Sequence, residues 1–230
     1  DQLKINNADI VIMNGGGYDD FMQQAIDADP TPAITVDAFM ASGDDESRNE
    51  HIWYDVDQVG DAAAVIGAAI ESIDESKFDE IESRVADFRE KLSERKARLE
   101  NHRRELLAAF VTQAQISVFL TEPLVAYLVE DAGLRNATPK AFSDAIEEDR
   151  DVPPAAMKEV KDLLKSNGVG AIFLNSSTQT AQIQELCSVN VSIPNFGFSE
   201  LLIQDPDTLE YSGGYFELLD SAIDTVVGQW

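Results

Sequence analysis

The sequence predicts an α/β protein of two lobes, each a parallel-type sheet flanked by helices, joined by one long rigid helix. Short apolar runs alternate with amphipathic segments in both halves of the chain, which is typical of parallel crossover connections. An uninterrupted helical stripe lies between these two regions. The chain has 230 residues and an apolar fraction of 44%, enough for one large or two modest cores.

The N-terminal lobe is expected over residues 1–75. The chain opens on a helical fragment, and Ala8–Met13 is a short apolar run typical of a buried parallel strand. Gly15–Gly17 follow, without the dinucleotide spacing or the Lys-(Ser/Thr) pair of a phosphate loop, so they predict a strand-to-helix turn beside a cleft. A second short strand, a polar loop and an alanine-rich helix are expected at 33–36, 42–49 and 56–73.

The linking helix is expected over residues 76–112. Its apolar residues recur at spacings of three, four or seven, and neither Pro nor Gly interrupts it, so it should span about 50 Å. Arg95 and His102 occupy seam-like positions, which favours a strut over a coiled coil. His102 has basic neighbours that repel a metal ion, so we expect a solvated or capping residue. The stripe consists of Phe78, Ile81, Val85, Phe88, Leu92, Leu99 and Leu106.

The C-terminal lobe is expected over residues 113–230, where three apolar strands are each followed by a helix. The strands are predicted at 116–120, 170–174 and 191–198, and the last helix at 215–227. Glu122 follows the first of these strands and Glu200 follows the third. Ligands of such sheets bind beyond the carboxyl ends of the strands, so these two carboxylates could converge on one point. Each alone is an ordinary surface glutamate.

The charge balance restricts the classes of partner. The chain has 17 basic and 43 acidic residues and a formal charge of −26. This composition argues against nucleic acid or an anionic membrane surface as partners, and it is compatible with cation binding or simply with solubility. A single cysteine, Cys187, excludes an internal disulfide and a cysteine-based zinc site. No run approaches the roughly 20 apolar residues that span a bilayer.

His51 is the main candidate for a metal ligand. It is one of two histidines in the chain and lies beside Glu50, Trp53 and Asp55. An imidazole with carboxylate oxygens suits Mn, Fe or Zn, and two glutamates shift the balance toward harder ions. The alternative for His51 is a buried, hydrogen-bonded histidine packed against Trp53.

Residues 49–55 are similar to Asn-Pro-His-(Val/Ile)-Trp-x-Asp, with Glu50 in place of proline. With this segment, the long helix and further matches, the whole chain resembles the cluster A-I solute-binding lipoproteins of manganese and zinc ABC importers. The resemblance implies that His51 is the second of two histidine ligands, Glu122 the third ligand and Glu200 the fourth, where aspartate is more common. The further matches are residues 14–18, 121–122, 175–178 and 193–194, with Tyr127 in the expected place after Glu122.

The first histidine ligand has no counterpart in these residues. The resemblance implies that it lies upstream of Asp1, together with the family's first strand and helix, so that the N-terminal lobe is incomplete in this chain. It further implies a monomer that works with a membrane ABC permease and touches the membrane only through a lipid anchor upstream. The expected location is extracytoplasmic, as a cell-surface lipoprotein of Gram-positive type or a periplasmic protein.

Several functions remain open from the sequence. The resemblance at Glu122 favours Mn²⁺ over Zn²⁺ or Fe²⁺ as the transported ligand, and a zinc-specific protein of the same family is the alternative. An acidic adhesin or scaffold that uses the long helix as a contact element is a candidate from another class. A metal-dependent hydrolase is disfavoured, because the chain contains no His-Glu-x-x-His, His-x-x-Glu-His or Gly-x-Ser-x-Gly motif. We therefore expect no enzyme activity.

Overall fold

The structure is a computed structural model that describes residues 2–43, 49–109, 116–148, 150–178, 180–199, 213–228 and 230. The chain forms two compact units, Asp1–Lys96 and Ala97–Trp230. The predicted α/β class, with parallel sheets flanked by helices and one long helix, is confirmed. Within the described ranges, no helix is both long enough and apolar enough to cross a membrane.

The first unit is built on two parallel strands. Its elements are α1 (Gln2–Asn6), β1 (Ile10–Met13), α2 (Asp20–Ala28), β2 (Ile34–Asp37), α3 (Val56–Ile73) and the first part of α4 (Phe78–Ala108). Ile10 pairs with Ile34 and Met13 with Asp37. The predicted parallel strand is present but only partly buried, because Val11 and Met13 are buried while Ile12 is 49% exposed. Successive side chains of a strand point to opposite faces, and the described residues cover only one face at Ile12.

Helix α3 begins and ends where the sequence predicts. Asp55 caps its first turn, since one carboxylate oxygen accepts the N–H groups of Asp57 and Gln58 at 3.0 and 3.1 Å. Small residues then allow α4 to approach closely. A Cβ on Gly67 would lie 2.8 Å from a methyl carbon of Val85. The apolar stripe of α4 therefore has a partner surface within the first unit.

Helix α4 has 31 residues and follows a short 3₁₀ turn at Glu75–Lys77. At 1.5 Å per residue it is about 46 Å long. The predicted end at residue 112 lies outside the described residues. The apolar stripe of α4 is more buried toward the C-terminal end of the helix. Phe78 is exposed, whereas Leu92, Leu99 and Leu106 are buried. Ion pairs join α4 to α3 through Arg89 and Asp61, 2.7 Å apart, and through Lys96 and Asp57.

The second unit contains a four-stranded parallel sheet. Its strands are β3 (Ser117–Leu120), β4 (Arg135–Asn136), β5 (Ala171–Asn175) and β6 (Asn195–Phe198), and their order in the sheet is β4-β3-β5-β6. Phe119 pairs with Ile172, and Phe173 with Phe196. Helices pack on this sheet around a core that includes Phe119 and Phe142. The helices of this unit after α4 are α5 (Ala126–Asp131), α6 (Lys140–Glu147), α7 (Pro154–Lys165), α8 (Ala181–Ser188) and α9 (Tyr215–Val227).

The last strand starts later than predicted. β6 begins at Asn195, and Val191, predicted to open the strand, is 89% exposed. Asn190 forms a turn instead, because its side-chain oxygen accepts the backbone N–H of Ser192 at 3.2 Å and the hydroxyl of Ser192 at 2.6 Å. Local side-chain bonding thus overrides the apolar pattern there.

His102 was predicted to be a solvated or capping residue, and the structure shows a buried capping residue rather than a solvated one. The Nδ1 of His102 lies 2.9 Å from the carbonyl oxygen of Ala132, the C-cap residue that follows α5. A carbonyl only accepts, so Nδ1 carries the proton and caps that helix end. The basic residues beside His102 in sequence lie on other faces of α4, whereas Leu99 and Leu106, three residues before and four after, share its face.

Candidate functional site

The glycine turn after β1 has a backbone that only glycine adopts readily. Gly15–Gly17 have φ values of 79°, 62° and 92°. A Cβ on Gly15 would lie 2.0 Å from a carboxylate oxygen of Asp37, and a Cβ on Gly16 would lie 2.7 Å from the ring of Phe39. The predicted strand-to-helix turn is confirmed, and close approach of neighbouring side chains explains why two of its glycines are needed.

Asp19 closes this turn. Its carboxylate accepts the backbone N–H groups of Asn14 and Gly15 at 2.8 and 2.9 Å. The neighbouring residue, Tyr18, reaches the segment that contains His51. The centroid of the Tyr18 ring lies 4.7 Å from that of Trp53, with the rings at 67°, an edge-to-face arrangement. The turn therefore fixes one wall around His51.

His51 is buried and hydrogen-bonded. The side-chain oxygen of Asn49 accepts the backbone N–H of His51 at 3.2 Å and lies 2.6 Å from its Nδ1. A backbone N–H only donates, which fixes the oxygen of the amide on this side and makes Nδ1 the protonated nitrogen. The lone pair of the imidazole is then on Nε2. Metal-ligating histidines in proteins usually donate their other ring N–H in this way.

The surroundings of His51 also match the alternative interpretation, a buried and hydrogen-bonded histidine packed against Trp53. Its ring centroid lies 5.2 Å from that of Trp53 and 6.2 Å from that of Tyr18. A buried histidine packed against Trp53 is therefore what the structure contains, and the tautomer is the one that a metal ligand needs. The two interpretations share one geometry.

Glu122 lies just beyond the carboxyl end of β3, before a 3₁₀ turn at Pro123–Val125. Asn175, the last residue of the neighbouring strand β5, donates its amide N–H to Oε2 of Glu122 at 2.5 Å. The hydroxyl of Thr178 donates to Oε1. Both oxygens of this carboxylate are thus held at the edge of the sheet where ligands of such folds bind.

The partners of Glu122 were not identified as site residues from the sequence. Asn175 and Thr178 follow Glu122 by 53 and 56 residues, so no local pattern joins them. Two signals were available. Asn175 ends a predicted strand, and parallel neighbouring strands end at one edge. Residues 175–178 are also among the matches to the family.

The described ligands predicted for the metal, His51 and Glu122, belong to different units. His51 belongs to the first unit and Glu122 to the second. Glu200 lies outside the described residues, as does the part of the polar loop at 44–48. Among the residues that the structure does describe, no group of three or more His, Cys, Asp or Glu side chains could hold a metal ion. Joint ligation by His51, Glu122 and Glu200 stays a prediction.

Solved structures of metal-binding proteins share this fold. FpvC from Pseudomonas aeruginosa in complex with Mn²⁺ is 18% identical, with a TM-score of 0.74 over 98% of this chain and 80% of that chain. The periplasmic zinc-binding protein TroA from Treponema pallidum is 16% identical, with a TM-score of 0.75 over 100% of this chain and 83% of that chain. A periplasmic metal-binding protein from Candidatus Liberibacter asiaticus is 16% identical, with a TM-score of 0.72 over the same shares.

No curated protein sequence matches the chain. At identities of 16 to 18%, the structural likeness shows the fold alone. The family model described as zinc-uptake complex component A, periplasmic, matches residues 1–228. This match covers nearly the whole sequence, and the chain therefore belongs to the ZnuA family of metal-binding components of ABC importers.

Proposed function

We propose that this protein captures a divalent transition metal outside the cytoplasm, with Mn²⁺ preferred over Zn²⁺ or Fe²⁺, and delivers it to a membrane ABC permease. Membership of the ZnuA family supports the general role. The carboxylate of Glu122 is the observation that carries the proposal, because both of its oxygens are held by donors at the carboxyl edge of the sheet. A carboxylate at this position favours a hard ion more than an imidazole would.

The proposed ligands are His51, Glu122, Glu200 and a histidine upstream of Asp1. An ion that takes these ligands favours the conformations in which they lie together and shifts the population toward them. The protein would act as a monomer, anchored to the membrane through a lipid upstream, and would catalyse no reaction. A formal charge of −26 raises the local concentration of cations at low ionic strength.

Zinc is the second candidate cargo, and the family description favours it because it names zinc uptake. Intrinsic affinities of nitrogen and oxygen sites also rank Zn²⁺ above Mn²⁺. A preference for Mn²⁺ would require the coordination number and geometry of the site to outweigh the higher intrinsic affinity for Zn²⁺. Competition between equal free concentrations of the two ions, read by elemental analysis, distinguishes the two cargoes.

The ligand assignment is tested by His51→Ala and Glu122→Ala in the full-length protein. Each variant is expected to weaken Mn²⁺ binding by more than the roughly 10–100-fold typical of losing an outer-shell partner. Elemental analysis after equilibrium dialysis measures the bound metal. Glu130→Ala is the matched control, since Glu130 is an exposed glutamate of the same unit, and it should bind like the wild type. Unchanged metal content in both His51→Ala and Glu122→Ala would refute the assigned site.

Asn49 gives a separate test of the His51 tautomer. Asn49→Ala removes the acceptor 2.6 Å from Nδ1. The ring is then free to place its proton on Nε2 or to rotate, so we expect about 10–100-fold weaker Mn²⁺ binding. Asn49→Asp keeps an acceptor for Nδ1–H and should retain most of the affinity. Calorimetric titration compares the two variants, and equal affinities for Asn49→Ala and the wild type would contradict the assigned role.

A further inference from the structure

Glu122 receives two hydrogen bonds from one distant segment. The amide of Asn175 donates to Oε2 at 2.5 Å, and the hydroxyl of Thr178 donates to Oε1. The orientation of the Asn175 amide is independently fixed, because its oxygen accepts the backbone N–H of Ser177 at 2.9 Å. The nitrogen of this amide must therefore face Glu122.

The backbone that carries Asn175 is part of the sheet. Asn175 is 2% exposed and pairs with Phe198 of β6. The next residue, Ser176, donates its N–H to the carbonyl of Phe198 at 2.8 Å. Asn175 is therefore held by the backbone on one side of β5, while β3, which leads to Glu122, pairs on the other side. Thr178 lies at the exposed rim of the same turn.

These two donors do not use all the acceptor positions of the Glu122 carboxylate. An ionised carboxylate offers about four lone-pair positions, two on each oxygen. Asn175 uses one position on Oε2 and Thr178 uses one on Oε1. Neither donor uses the second position on its oxygen, and together the two donors fix the plane of the carboxylate. A glutamate with a free side chain would have to be ordered when the metal binds, at the expense of rotamer entropy.

We propose that Asn175 and Thr178 are positioning residues that orient the Glu122 carboxylate for metal capture. This inference rests on the proposed function, since it requires Glu122 to be a ligand. The two residues do not contact the ion. They act by holding one ligand in its binding orientation before the ion arrives, so their loss weakens binding without removing a ligand.

The test uses Thr178, because replacing the buried Asn175 could unfold the sheet. Thr178→Val keeps the shape and removes the hydroxyl, whereas Thr178→Ser keeps the hydroxyl. In the full-length protein we expect about tenfold weaker Mn²⁺ binding for Thr178→Val and recovery for Thr178→Ser. The thermal midpoint of the metal-free protein should not change, because Thr178 is exposed. Thr225→Val, in α9, is the control outside the site.

A double-mutant cycle separates the possible failures. If Thr178 acts through Glu122, Thr178→Val has no further effect in a Glu122→Gln background. Weak binding by Glu122→Gln with unchanged binding by Thr178→Val overturns the positioning role alone. Unchanged binding by Glu122→Gln overturns the ligand assignment and with it this inference. A wild-type protein that binds neither Mn²⁺ nor Zn²⁺ overturns both.

Discussion

Gly16→Ala is expected to destabilise the first unit by about 2–5 kcal/mol. The φ of 62° costs a non-glycine residue about 1–2 kcal/mol. The added Cβ would also lie 2.7 Å from the ring of Phe39, which is only 2% exposed and cannot move outward. Forcing an extra methyl group against a packed side chain typically costs about 1–3 kcal/mol.

Gly17→Ala is the matched control for this prediction. Gly17 has a φ of 92°, and a Cβ there would meet nothing within 4 Å. It should therefore cost only the backbone strain, about 1–2 kcal/mol. Equal losses for the two variants would show that the contact with Phe39 is not the cause.

The readout is the fluorescence of Trp53 during denaturation, in a Trp230→Phe background. The chain has two tryptophans, and Trp53 lies in the first unit with its ring centroid 4.7 Å from that of Tyr18. A shift of Gly16 moves Tyr18, two residues later, so the emission of the folded protein should change as well. Under the proposed function, Gly16→Ala also weakens metal binding, because Tyr18 forms part of the wall around His51.

Phe142→Ala is expected to destabilise the second unit by about 3–5 kcal/mol, the usual cost of deleting a buried aromatic ring. Phe142 on α6 and Phe119 on β3 are both fully buried, with ring centroids 5.2 Å apart in an edge-to-face arrangement. The substitution leaves a cavity beneath the sheet and also removes an aromatic contact. Phe142→Leu keeps much of the volume and should cost clearly less.

Trp230 reports on this unit once Trp53 is replaced by phenylalanine, so the two units are measured separately. Separate probes are needed because a chain of two compact units need not unfold in one transition. A loss below about 1 kcal/mol for Phe142→Ala would mean that the core collapses to fill the space. If Glu122 is a ligand, as proposed, weaker metal binding should accompany the loss of stability, because Phe119 lies in the strand that leads to Glu122.

The sequence predicted correctly those elements that depend on neighbouring residues, such as helix caps and the spacing of apolar residues. Helix α3 runs over the predicted residues 56–73, since Asp55 supplies a cap and the alanine-rich sequence that follows favours a helix. The seven-residue spacing of Leu92, Leu99 and Leu106 likewise predicted buried positions. The prediction that a strand begins at Val191 is wrong, because the side-chain oxygen of Asn190 accepts the backbone N–H of Ser192 and holds these residues in a turn.

Features that depend on distant residues were missed. The two-residue strand β4 exists because it pairs with β3, and its sequence has no strand signal. The burial of His102 depends on the carbonyl at Ala132. Of the candidate site, the sequence identified Glu122 but not its donors, Asn175 and Thr178, which are more than 50 residues away. No pattern along the chain encodes such contacts before the topology is known.

The boundary between the two compact units falls inside α4, between Lys96 and Ala97, rather than in a loop. A loop absorbs an inserted residue, but a helix turns each added residue by about 100°. An insertion or deletion between Leu92 and Leu99 would leave the helix intact and turn every later residue of α4 by about 100° relative to the residues before it. Evolution of this protein should therefore tolerate many substitutions on the polar faces of α4 while keeping the number of residues in that interval constant.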